Sequence, residues 1–362
     1  MPINKENIFD AITCEKNIYN AYKQTQKGKS KYKSEAIRFG KNETHNIKFL
    51  RESLINETYE FGRYERFTVY EPKERIIDAP QYIDKIVQIA INNVLKDVYY
   101  PSFIYDSYSC IDNKGTHKCV SRIRKFMQMG KRQYREEAFV VKIDIKKFFY
   151  SIDRKILKSI LTKRIKCKKT LNLLYKIIDS ADSISELGLP LGNTFSQMGA
   201  NIYMNVVDQY AKRSLGIKYY IRYADDIFVI VKNKKEAIET STSITSFLQE
   251  RLKLETNKNK SKIFPLGQGI NGIGFKIYTT HILLRNDSKK RIKRKIKGMK
   301  RLLASNKMTI SKAEQMLNSW KGHADFANSY NFTESLMAKS DFVYKDTKGR
   351  LRVDINKIKE GE

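Results

Sequence analysis

The chain has 362 residues, with 70 Lys or Arg against 39 Asp or Glu and a formal charge of +31. A hydrophobic content of 41%, including 18 Phe and 22 Tyr, excludes a disordered chain and suffices for two or three sub-domains around a substantial core. An excess of positive charge on this scale needs a polyanion, and nucleic acid is the usual one. A Lys-rich surface carried by an AT-rich genome is the competing explanation; a lipid surface is a third, which no lipidation signal or amphipathic anchor supports. No stretch is long and apolar enough to span a bilayer, and the N-terminus MPINKENIFDAI is too polar for a signal peptide. Cys14, Cys110, Cys119 and Cys167 have neither zinc nor disulfide spacing, so a reducing, cytoplasmic setting without a membrane partner is expected.

In chain order, residues 1–60 read as helical, with a basic stretch from Lys23 to Lys41 that is either a polar loop or a nucleic-acid contact. Residues 63–78 alternate like strands and are broken by Pro72. A helix is expected after Pro80, with Ile83, Ile86, Val87, Ala90, Val94 and Leu95 at helical spacing, and Pro101 should stop it. The run FVVKIDI (139–145) has buried-strand character, and Ser151 or Asp153 can cap the helix that follows. Gly188, Pro190 and Gly192 mark a loop before a helix over 195–213, and YYIRYADDIFVIV (219–231) reads as two strands joined by a tight turn. This order predicts an α+β sheet with helices on one face. From residue 285 a helix is expected whose Ile292, Ile296, Met299 and Leu303 form an apolar stripe, while ten Lys or Arg against one Asp crowd residues 285–301.

Asp225 and Asp226 sit at the tip of an apolar hairpin, where adjacent carboxylates repel unless a cation offsets them. Asp144 ends a separate strand, and if the strands are neighbours the three acids converge. Oxygen-only ligands of this kind suit Mg²⁺, and two such ions suit in-line attack on a phosphate.

The segment YADD (223–226) resembles the signature of reverse transcriptases, and further motifs follow that family's order. EPKER (71–75) resembles the basic fingers motif, which implies that Lys73 and Arg75 grip an incoming triphosphate. SYSCIDNKGTH (107–117) resembles the next block of the bacterial and group II intron lineage. VKIDIKKFF (141–149) resembles the first palm motif, implying Asp144 and the Ile145 carbonyl as metal ligands and Phe149 as a gate against a ribose 2′-hydroxyl. GLPLGNTFSQ (188–197) resembles the loop-helix that packs on the nucleotide, placing Gln197 there. Asn259-Lys260-Ser261 resembles the motif whose Lys approaches pyrophosphate, and GINGIGF (269–275) the primer-grip turn.

The resemblance implies a right-hand polymerase fold of fingers, antiparallel-sheet palm and helical thumb. The corresponding division is 1–60 as a basic helical extension, 61–138 fingers, 139–280 palm and 281–362 a basic helical thumb. It implies an RNA-directed DNA polymerase in which Asp144, Asp225 and Asp226 hold two Mg²⁺ (Mn²⁺ being a substitute). An RNA template, a DNA or RNA primer and dNTPs are the implied partners. Leu191-Gly192 followed by Ser196-Gln197, with GLPLGN, SYSC, KGTH and SWKGHADFANSYN (319–331), resembles the enzymes of diversity-generating retroelements, bacterial or phage-encoded. A defence-associated (antiphage) enzyme that uses a non-coding RNA is the alternative. A template-independent nucleotidyl transferase and a non-catalytic RNA-binding module are two further readings. The residues after Phe275 show no RNase H or Cys/His-rich endonuclease pattern, so an accessory protein or cognate non-coding RNA is an expected partner.

Overall fold

The computed structural model describes residues 8–70, 74–180 and 186–359. The chain runs α1 (Ile8–Thr13), α2 (Glu15–Thr25), α3 (Ser34–Lys41), α4 (Glu43–Ile55), β1 (Glu65–Val69), β2 (Arg75–Ala79), α5 (Tyr82–Tyr99), β3 (Ser107–Tyr108), α6 (Thr116–Tyr134), β4 (Phe139–Asp144), α7 (Phe148–Ser151), α8 (Arg154–Arg164), α9 (Lys168–Asp179), α10 (Thr194–Gln209), β5 (Tyr219–Tyr223), β6 (Asp226–Val231) and α11 (Lys234–Leu252). It continues through β7 (Lys262–Pro265), β8 (Ile270–Gly272), β9 (Phe275–Ile277), β10 (Ile282–Leu284), α12 (Asn286–Ala304), α13 (Ile310–Ala324), α14 (Tyr330–Ala338), β11 (Val343–Lys345), β12 (Leu351–Val353) and α15 (Asn356–Lys359).

The main sheet has the strand order β3-β5-β6-β4-β7, so the end of β4 lies next to the β5–β6 hairpin. Its palm-like centre is as expected, but β3 is an addition and runs parallel to β5, with Ser107 opposite Arg222 and Tyr108 opposite Tyr223. Successive residues of β5 and β6 are buried rather than alternate ones. Both faces of these strands are therefore covered, where a sheet with helices on one face was expected.

Two compact units partition the chain. The first comprises the described residues of Met1–Asn113, Lys142–Ile227 and Glu239–Lys262. Its central element is α5, whose Ile86, Val87, Ala90, Ile91, Val94 and Leu95 leave almost no exposed face. Such a helix must be enclosed, and α1, α2 and α10 pack on it. Asn17 of α2 ties onto the middle of α5, its Nδ2 donating to the Ala90 carbonyl at 3.0 Å. Asp153 is the cap of α8, accepting from the Ile156 N–H at 2.9 Å.

The β1–β2 hairpin pairs Glu65 with Ala79 through Val69 with Arg75. Its base is fastened to the loop before α10: the Asp78 N–H donates to the Leu191 carbonyl at 2.7 Å. Gly192 has φ 113°, and a Cβ there would lie 2.7 Å from the Asp78 carbonyl oxygen. No L side chain is relaxed in that conformation, and the obstructing atom is backbone.

The second unit comprises Lys114–Val141, Phe228–Ile238 and the described residues of Ile263–Glu362. The stripe Ile292, Ile296, Met299 and Leu303 is buried, and it packs with Leu317 and Leu351 in one core. The opposite face of α12 leaves Lys290, Arg291, Lys293, Arg294 and Lys297 exposed. Expected to be helical throughout, residues 281–362 also carry β10 and the β11–β12 hairpin. The hairpin turn closes on Gly349 at φ 70°, a conformation that glycine adopts freely. In the same unit the KGTH and KGHADF segments meet, the His117 ring stacking on Phe326 at 4.1 Å and His323 lying 4.4 Å from Phe275.

Gly192→Ala should destabilise the first unit by about 2 kcal/mol or more, because positive-φ strain and a backbone clash add. Urea denaturation checks this, and an unchanged midpoint would show that hairpin and loop are not fastened this way.

Candidate active site

Asp144 is 5% exposed at the end of β4. Beyond it the chain stays extended, and Ile145 forms an antiparallel bridge with Thr256. The Asn257 N–H donates to the Asp144 carbonyl at 2.7 Å, and the Lys146 N–H to the Glu255 carbonyl at 2.9 Å. Hydrogen bonds that run through the flanking residues leave the Ile145 carbonyl out of this bridge. The Asp144 N–H donates to Ser261 Oγ at 3.2 Å. A turn follows Asn257, whose carbonyl accepts from the Lys260 and Ser261 N–H groups. That turn sets Lys260 Nζ 3.0 and 3.1 Å from the two Asp144 oxygens.

Only Ala224 and Asp225 separate β5 from β6, and Ala224 adopts a left-handed φ of 52°. So short a loop needs a positive φ to match the twist of its strands. Burial pushes the Asp225 carboxyl above the ordinary range; Asp144 adds to this by repulsion, while Lys260 and Arg75 oppose it. Burial likewise pushes Asp226 up to about 6, with Lys142 opposing and Asp225 and Asp144 adding. Asp226 Oδ1 is buried without a hydrogen-bond partner, and Lys142 Nζ stands 3.7 Å away.

Asp144, Asp225, Asp226, Lys260 and Arg75 therefore share one electrostatic neighbourhood in the first unit. Among the described residues, no three His, Cys, Asp or Glu side chains stand close enough to form a ready-made metal cage. The donor set nevertheless fits a hard divalent cation: it is all oxygen, and it includes an orphaned buried carboxylate oxygen and a carbonyl left out of its bridge. Phe149 is half-buried on α7, its carbonyl accepting from the Leu189 N–H at 2.8 Å and its ring 5.3 Å from Phe148. Gln197 is exposed in the first turn of α10. Lys73 lies outside the described residues. Lys142 went unassigned in the sequence, although a lysine inside the apolar run FVVKIDI is itself a sign of a buried partner.

Residues 71–277 match the family model described as reverse transcriptase (RNA-dependent DNA polymerase). The chain belongs to the reverse transcriptase family. It is 23% identical over 302 residues to the group II intron-encoded protein LtrA of Lactococcus lactis, covering 64% of this chain and 49% of that protein. It is also 23% identical over 259 residues to a putative COX1/OXI3 intron 2 protein of Saccharomyces cerevisiae, covering 54% of this chain and 30% of that one. The chain thus spans less than half the length of either relative. A solved telomerase from Candida albicans aligns over 71% of this chain and 54% of its own, with 12% identity and a TM-score of 0.45, too weak a likeness to add to the assignment. Members of this family generally use divalent metals. No helix among the described residues is long and apolar enough to cross a membrane.

A carboxyl whose folded pKa is raised stabilises the fold below its unfolded pKa and loses that contribution as pH rises through the folded value. For Asp226 the window runs from 3.8 to about 6, so its charge opposes folding at neutral pH. Asp226→Asn should therefore raise stability in metal-free buffer at pH 7 by on the order of 1–3 kcal/mol. A thermal melt that falls, or does not move, would contradict this electrostatic account.

Proposed function

We propose that the chain is an RNA-directed DNA polymerase with its chemistry at Asp144, Asp225 and Asp226. The observation that carries this reading is that three carboxylates on two adjacent strand ends act on one another electrostatically, with Lys260 and Arg75 in the same field, in a chain of this family. Two Mg²⁺ ions, or Mn²⁺ in their place, held by these carboxylates and the Ile145 carbonyl, would supply the charge that activates a primer 3′-hydroxyl and neutralises pyrophosphate. The side chains do the rest. Arg75, at the exposed start of β2, and Lys73 hold the triphosphate of a dNTP. Lys260, half exposed and hinged on the Asn257 turn, is free to exchange a carboxylate for a phosphate oxygen. Phe149 sits against the sugar and excludes a 2′-hydroxyl by occupying its space, and Gln197 faces the base and sugar from α10.

The exposed basic face of α12 supports an RNA template with its primer as the bound polyanion. Leu191-Gly192, Ser196-Gln197 and the SYSC, KGTH and KGHADF segments support a diversity-generating retroelement as the setting, in a bacterial or phage-encoded cytoplasmic enzyme working with an accessory protein or cognate non-coding RNA.

Primer extension on an RNA template with Mg²⁺ and four dNTPs should yield template-matched DNA, and Asp225→Asn or Asp226→Asn should abolish it. Untemplated product would instead establish a template-independent transferase. Phe149→Ala should raise ribonucleotide incorporation relative to deoxyribonucleotide by roughly ten- to a hundredfold. An unchanged ratio would remove Phe149 from that role.

A further inference from the structure

Arg222 lies two residues before the turn that carries Asp225, and its side chain is fully buried. So is Asp208 of α10, which it faces. Arg222 Nε donates to Asp208 Oδ1 at 2.8 Å and Nη2 to Oδ2 at 2.7 Å, a forked ion pair. Tyr220 Oη donates to Asp208 Oδ1 at 2.8 Å. Nη2 also donates to Ser107 Oγ at 2.8 Å, and Nη1 to Asn201 Oδ1 at 3.2 Å. The remaining Nη1 proton goes to the Ala224 carbonyl at 3.1 Å. All five guanidinium donors are thus placed.

We infer that Arg222, oriented by Asp208, Asn201 and Ser107, is a positioning residue that holds the Ala224–Asp226 turn in the conformation the metal-binding carboxylates require. Stability is weak grounds for keeping the pair, since well-packed apolar residues often replace a buried ion pair without loss. What an apolar pair could not reproduce is the grip on the Ala224 carbonyl. Ala224 is in a left-handed conformation that an L residue adopts at a cost, and such strain persists only where surrounding contacts over-determine it. The direction of that carbonyl fixes the peptide plane leading into Asp225. The other clasps draw in β3 through Ser107 and α10 through Asn201, and Asn201 Nδ2 donates in turn to the Ser109 carbonyl at 3.1 Å. Backbone bonds run in parallel, the Arg222 N–H donating to the Asp106 carbonyl at 3.0 Å. The turn is therefore registered against two elements that contribute no carboxylate to the site.

This inference rests on the polymerase reading, and wild-type primer extension tests that reading separately. The discriminating protein is the double variant R222M/D208L, which removes both buried charges together. Binding of Mn²⁺ to the free protein, followed by electron paramagnetic resonance, should weaken about tenfold, and kcat should fall by about tenfold or more with the dNTP KM within about threefold of wild type. Arg222→Lys, which keeps the charge but loses the fork, should not rescue either value. Should R222M/D208L fail to fold, Asn201→Ala and Ser107→Ala each remove one neutral clasp, and each should weaken Mn²⁺ binding by about threefold. A folded double variant with wild-type Mn²⁺ affinity and kcat would overturn the inference, as would wild-type Mn²⁺ binding in both single variants. A wild-type protein that makes no templated DNA would overturn the polymerase reading and leave the Mn²⁺ comparison able to decide this one.

Discussion

Gathering Asp144, Asp225 and Asp226 at the ends of neighbouring strands, largely out of water, is unfavourable for each carboxylate and worse for all three. Desolvation and mutual repulsion act in the same direction, which is why Asp225 and Asp226 both titrate high. The local structure is arranged around that cost. Lys260 closes on Asp144, Lys142 stands beside Asp226, and Arg75 adds its field at Asp225. The strands behind the carboxylates are buried on both faces, which anchors the backbone that carries them.

That rigidity is built outward from α5. That helix is buried on nearly every face, its buried polar residues Asp84, Gln88 and Asn92 included, and the N-terminal helices enclose it together with α10. α10 then serves two ends of the site. Its N-terminal loop fastens the β1–β2 hairpin that carries Arg75, through Leu191 and Gly192. Farther along, it presents Asn201 and Asp208 to Arg222. One helix thus relates the hairpin that bears Arg75 to the turn that bears the carboxylates.

Local patterns carried most of this into the sequence. The apolar runs before Asp144 and around YADD are strands because β-branched and aromatic residues fill them, and Pro80 and Pro101 bracket α5 as fixed-φ residues should. β3 was not legible, since two residues make no pattern and its partner lies more than a hundred positions away. The β11–β12 hairpin was hidden by the surrounding Lys and Asp, although VYKDTKGRLRV alternates around a Gly turn. Lys142 and Arg222 were visible as charges inside apolar strands. Their partners were not, because a strand fixes which side a residue faces but not what the fold places there.

These charges fall into two kinds that do different work. Lys260 is half exposed on a flexible stem, so its ammonium can leave Asp144 and stay solvated, while the buried carboxylate it leaves needs another cation in its place. A group of that kind suits a carboxylate that must change partners during a reaction cycle. Arg222 is the opposite: forked, fully buried, with every donor engaged. Releasing it would strand both its own charge and that of Asp208 in a medium that cannot solvate them. The carboxylate cluster therefore combines a half-exposed, exchangeable cation, Lys260, with a fully buried and fixed one, Arg222, whose bond to the Ala224 carbonyl falls on the strained peptide itself.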